Sequence, residues 1–268
     1  LISGILLLLS CACALAVDSA DLFAAETRVS DESSEARNAA LSELLADVLG
    51  RVSGNRAVAG QPAAREILDE APTLVQQYRY FNEPGSEPPL LKLWVRFDGN
   101  AIRNTLQQQG QAYWGKERPD TLVWLAVEDR GKRYVVSADD GTDVQRQIAL
   151  AAKQRGLPIV FPLMDLEDQS QVRFSDILGG FFENVMAASK RYNPQAVLIG
   201  RLNRSPSGGW SSRWHLDVTG RPADWSDTHP QLEKLSQQGI DDTADRLASR
   251  FAVARGGGNS STVSISVS

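Results

Sequence analysis

Leu122-Val123-Trp124-Leu125-Ala126-Val127 is an unbroken apolar run, followed at once by Glu128 and Asp129. Six apolar residues in a row cannot alternate between core and solvent. The run therefore predicts a central strand buried on both faces, which needs helices on either side. The sequence downstream has that form. Tyr134 to Val136 reads as a returning strand after a glycine turn. Thr142 to Arg155 reads as a helix opened by a capping box between Thr142 and Gln145 and stopped by Gly156. Ile159 to Leu163 is expected as a further buried strand. Ile177 to Tyr192 is expected as one helix with Phe181, Phe182, Val185, Met186 and Ser189 on or near its buried side, and Ala196 to Gly200 as another buried strand. In Trp210 to Val218 the even positions Trp210, Ser212, Trp214, Leu216 and Val218 share one face. Ser211, Arg213, His215 and Asp217 share the other, the pattern of a half-exposed antiparallel strand. Leu232 to Val253 ends the region as an amphipathic helix. The order β-β-α-β-α-β-β-α predicts a mixed sheet covered by helices.

Toward the N-terminus the pattern changes at Gly110 to Pro119, which holds two Gly, one Pro and no period. The preceding part reads as a smaller α+β unit. Its clearest helix is Asp31 to Gly54, capped by Asp31, with a stripe of Ala36, Ala40, Leu41, Leu44, Leu45, Val48, Leu49 and Val52. A strand over Leu22 to Val29 precedes it. A helix over Pro62 to Glu70, strands over Leu74 to Tyr80 and Leu91 to Phe97, and a helix over Asn100 to Gln109 follow. The predicted class is α/β, an α+β N-terminal lobe followed by a mixed-sheet α/β lobe covered by helices. The expected organisation is a signal peptide over 1–16, an N-terminal lobe over 17–112, a linker over 113–120, a C-terminal lobe over 121–253 and a disordered tail over 254–268.

Leu1 to Ala16 carries no charge and ends in Ala14-Leu15-Ala16, a small-x-small cleavage site, before Val17-Asp18. That composition predicts export to the periplasm with cleavage after Ala16, and no membrane span in the mature chain. The chain begins without Met or a basic n-region, so a truncated start is expected. The two cysteines, Cys11 and Cys13, lie inside this segment. The mature chain is thus expected to have neither disulfides nor thiolate chemistry. Lipid anchoring at either cysteine is the alternative.

Lys and Arg number 28 against 33 Asp and Glu, for a net charge of −5. That balance argues against nucleic acid as the partner. The sequence has no G-x-S-x-G, P-loop, G-x-G-x-x-G or H-E-x-x-H pattern and implies no cofactor. Its only histidines, His215 and His229, read as surface residues. Asp165, Glu167 and Asp168 follow the expected strand at 159–163. There they suit either oxygen ligation of Ca²⁺ or Mg²⁺ or the capping of a helix start. Trp114 and Arg118 in the linker suit either a partner interface or packing between lobes.

The stretches VQQYRY (75–80), LWVRFDG (93–99), WGKERP (114–119), LVWLAVED (122–129), FPLMDLED (161–168) and AVLIGRL (196–202) occur in this order. With them the chain resembles an uncharacterised proteobacterial exported family, domain of unknown function number two thousand and sixty-six. The resemblance implies no activity. A fainter similarity of fold, carried by a long helix leading into Ala196 to Gly200, is to the N-terminal domain of the Tol-Pal propeller protein and to curli-secretion lipoproteins. The sequence thus favours a non-catalytic binding or accessory protein of the cell envelope, with an unidentified envelope protein as partner. A metal-assisted hydrolase using the Asp/Glu cluster, or a lipoprotein with a binding role, are the alternatives.

Overall fold

The computed structural model describes residues 21–253. The expected signal segment, its cleavage site, both cysteines and the tail lie outside the described residues.

The eight-residue apolar stripe does what its spacing predicts. Helix α1 (Ser34–Ser53) buries Leu41, Leu44, Leu45, Val48, Leu49 and Val52 completely or nearly so. It packs on a three-stranded antiparallel sheet of β1 (Ala24–Arg28), β2 (Val75–Asn82) and β3 (Leu91–Phe97), in the order β1-β3-β2. Leu93, Val95 and Phe97 of β3 meet the helix. The cap is Ser33, whose hydroxyl accepts from Ala36 N. Asp31, expected as the cap, instead accepts from Ser33 N and holds the turn before it. Helices α2 (Pro62–Asp69) and α3 (Gly99–Gln108) complete this part.

The second sheet has the order β5-β4-β7-β8-β9, with β6 also paired to β4. Its strands are β4 (Thr121–Asp129), β5 (Lys132–Val135), β6 (Ile159–Val160), β7 (Ala196–Arg204), β8 (Trp210–Val218) and β9 (Arg221–His229). β4 runs parallel to β6 and β7, and all other pairs are antiparallel. The sheet is mixed, as the sequence predicts. Leu122 to Val127 is buried throughout. Val123, Leu125 and Val127 face α4 (Asp143–Arg155) and α8 (Leu232–Phe251), while Leu122, Trp124 and Ala126 face the opposite layer. That layer is α5 (Leu166–Gln171), α6 (Phe174–Gly179) and α7 (Phe182–Ser189), and Trp124 Nε1 donates to Ser189 Oγ at 2.9 Å within it.

Four further features depart from the sequence reading. The strand expected at 159–163 ends at Val160, which is 50% exposed. Pro162 has no N–H to continue a ladder, and its carbonyl is taken by Ala138 N instead. The single helix expected at 177–192 is two helices and a 3-10 turn, because Gly180 adopts φ 82 and closes α6. Phe181 is thereby turned outward and is 66% exposed. The capping box at α4 is displaced by one residue, since Gln145 Oε1 accepts from Gly141 N at 2.8 Å rather than from Thr142 N. Strand β9 was not expected at all. It follows a two-residue turn, Thr219-Gly220, with φ of 53 and 76.

Gly239 of α8 explains how that helix reaches the sheet. A Cβ there would lie 2.4 Å from the Trp214 ring, so only glycine allows this approach. Trp214 donates to Ser212 Oγ and stacks on Trp225 of β9.

Candidate functional site

Trp114 and Arg118 are brought together, in the interior. Trp114 is 1% exposed, its backbone N–H donates to Val52 O at 2.6 Å, and its ring lies under Gly54. Arg118 stacks on that ring, with its guanidinium carbon 4.2 Å from the centroid. It uses its whole donor fork on carbonyls. Nε donates to Gly115 O, Nη1 to Arg155 O and Gly156 O, and Nη2 to Arg51 O and Trp114 O, at 2.6 to 3.2 Å. Arg51 lies in the last turn of α1 and Arg155 ends α4, so one cation caps two helix C-termini, where terminal carbonyls lack partners and the dipole is negative. No carboxylate is needed. Burial, with Arg51 and Arg155 nearby, pushes the Arg118 pKa down to about 9, which leaves it a cation at neutral pH. Both residues therefore join the two sheets and offer no surface to a partner.

Asp165, Glu167 and Asp168 also converge, on Arg191. Its guanidinium lies 2.8 Å from Asp165, 3.0 Å from Asp168 and 3.6 Å from Glu167. Asp165 caps α5 by accepting from Asp168 N. Asp168 is fully buried and accepts from Met164 N and from the Tyr192 hydroxyl at 2.5 Å. Arg191 holds the Asp165 carboxyl well below its ordinary range. Burial and the bond to Asp168 push the Tyr192 hydroxyl up to about 12. The cluster is a charge-compensated loop closure, and its cation is an arginine. Among the described residues no group of three or more His, Cys, Asp or Glu is arranged to hold a metal ion. His215 is bonded to Asp224 at 2.9 Å and lies on the Phe182 ring, and His229 bonds the backbone of Gln231.

What sequence reasoning missed is a cleft of about 700 Å³ between the two sheets. Its walls are α1 and β1 on one side and α4 with the first turns of α8 on the other, with Lys92 and Trp94 of β3 at its margin. Arg51 forms the floor. It donates from Nε to Gln154 O at 2.6 Å and from Nη1 to Leu22 O and Ala24 O, stitching α4 to β1. A second tie crosses at the end of the cleft. Arg56 meets Asp241, Asp242 and Asp245 of α8, and Arg155 meets Asp241 and Asp245. Burial raises the Asp241 pKa against the pull of Arg155 and Arg56, and burial likewise raises that of Asp47 on the α1 wall. Lys153, Lys234 and Glu233 on the walls make no ion pair among the described residues, and Leu150 is 50% exposed. Individually these residues give no signal in the sequence, because each sits on the solvent side of an amphipathic helix. Only the packing of α1 and β1 against α4 around Arg118 turns this helical surface into the wall of a cleft.

A family described as a domain of unknown function, DUF8605, matches residues 16–115, the part built on α1 and the first sheet. This corrects the resemblance to family number two thousand and sixty-six, which is a different domain. No curated protein matches the chain. Among solved structures, the crystal structure of competence or damage-inducible protein from Enterobacter asburiae is similar over 57% of this chain and 94% of that one. Its identity is 8% and its TM-score 0.27, an overlap too loose to transfer any property.

Proposed function

We propose that this chain is a non-catalytic binding protein of the cell envelope, exported on residues 1–16, that takes a protein partner in the cleft between its two sheets. The observation that carries this reading is the division of labour among the charged groups. Arg118, Arg155, Arg56 and Arg191 are consumed in internal ties. The cleft walls, by contrast, present Lys153, Lys234 and Glu233 beside exposed Leu150. Polar groups around a small apolar contact in a preformed concavity are what a binding site requires. The envelope assignment is supported by the uncharged apolar segment and by a mature chain without cysteine.

The test is affinity capture from envelope extracts with the purified protein and with the variant Lys153→Glu plus Lys234→Glu. Both positions are exposed, so the melting temperature should be unchanged while the captured partner is lost. Full retention of the partner by the charge-reversed protein contradicts the cleft as its site.

A further inference from the structure

The wall of the cleft formed by β1 has a property that side chains do not reveal. β1 pairs only with β3 among the described strands, so its other side is an edge. The direction of its backbone groups follows from two independent contacts. Val29 N donates to Leu91 O, directly across from it, which places Val29, Thr27 and Ala25 in hydrogen-bonded pairs with β3. Ala24, Glu26 and Arg28 must then point their N–H and C=O groups the other way. Arg51, approaching from the open side, donates to Leu22 O and Ala24 O, as that alternation requires. Ala24 O is thus occupied, whereas the main-chain groups of Glu26 and Arg28 face outward. Glu26 lines the cleft and is exposed.

An unpaired strand edge beside a concavity is a template for another strand. We propose that the cleft binds an extended peptide segment of the partner protein by strand addition to β1, a proposal that rests on the cleft being the binding site. The added strand would form about four main-chain hydrogen bonds with Glu26 and Arg28, and the Arg51 contact to Ala24 O ends the ladder. Alternate side chains of the peptide would meet Leu150 and Lys153 on the α4 wall. Lys153, which follows Leu150 on that wall and makes no ion pair among the described residues, favours an acidic side chain at the peptide position that meets it.

The probe is a library of random twelve-residue peptides displayed on phage and selected on the full protein, followed by synthesis of the selected peptides. Strand addition predicts that N-methylation of peptide bonds weakens binding at least tenfold at every second position and little between. It also predicts that the amides of Glu26 and Arg28 become protected from hydrogen exchange in the complex. Glu26→Pro removes an outward N–H that no described partner uses, a substitution edge strands tolerate. It should weaken binding at least tenfold with an unchanged circular dichroism spectrum. Should that variant misfold, the N-methyl series on the wild-type protein carries the same test. Peptides lost on Lys153→Glu that are insensitive to N-methylation and leave Glu26 and Arg28 unprotected would overturn strand addition while leaving the cleft reading intact. Peptides insensitive to Lys153→Glu and to N-methylation alike would overturn both. A selection that yields no peptide above an unselected control overturns the proposal.

Discussion

Arg118 donates from Nη2 to the backbone carbonyl of Arg51 at 2.8 Å and from Nη1 to that of Arg155 at 2.6 Å. Through these two bonds a single side chain of the connecting segment fixes the end of α1 against the end of α4, and the cleft is the space those helices leave beside β1. Lysine has three donors on a flexible stem and cannot reproduce a planar fork with five. Arg118→Lys strands at least two buried carbonyls, which should cost about 3 kcal/mol at 1–3 kcal/mol per unmade bond. Urea denaturation reads this as a lower midpoint with an unchanged slope. An unchanged midpoint contradicts the role of the fork.

Trp114 contributes the apolar half of the same joint. Trp114→Ala should lower stability by roughly 3–5 kcal/mol. Capture of the partner by the protein that remains folded should be unaltered, since the ring is buried away from the surface. Loss of capture at unchanged stability would instead make Trp114 a recognition residue.

Gly239→Ala places a methyl carbon 2.4 Å from the Trp214 ring. The helix must retreat from the sheet, at a cost of roughly 1–3 kcal/mol for overpacking despite alanine's better helix propensity. A rise in melting temperature would show that α8 can shift freely over β8.

Asp165 gives a pH dependence of known sign. Its folded-state pKa lies below its ordinary value of 3.8, through Arg191 first and the backbone N–H of Asp168 second. The stability it contributes is therefore present in full above that ordinary value and is lost as pH falls toward the depressed one. Asp165→Asn keeps a side chain able to cap α5 but removes the charge. The variant should be less stable than wild type at neutral pH, and the gap should narrow as the pH drops below about 4. A gap independent of pH would mean that the charge on Asp165 stabilises nothing.

Much of the fold is legible in the sequence because periodicity reports burial. Leu122 to Val127 reads as buried on both faces and is. The stripe along α1 and the alternation in β8 likewise match their structural faces. Where one face is enough, the signal fades. β9 is an edge strand whose half-buried positions are Ala223, Trp225, Asp227 and His229, so half of its inner face is polar. Its turn puts Thr219 at positive φ, where glycine or asparagine is the usual cue. The break at Gly180 is hidden because Phe181 and Phe182 continue an apolar pattern across it. Trp114 and Arg118 are conspicuous as residue types, yet burial decides their role, and burial at a joint between two sheets depends on contacts distant in sequence. The cleft is less legible still. Lys153, Leu150 and Lys234 read as ordinary exposed helix positions until β1 is placed opposite them.

Site-specific photo-crosslinking in intact cells reads directly whether the partner lies in the cleft. A photoreactive residue replaces Leu150 on the cleft wall in one variant and Phe181, 66% exposed at the α6–α7 junction, in another. A partner seated in the cleft gives one discrete protein adduct from position 150, abolished by Lys153→Glu plus Lys234→Glu, and none from position 181. An adduct from position 181 with none from position 150 would contradict it and would move the partner to the opposite side of the second sheet.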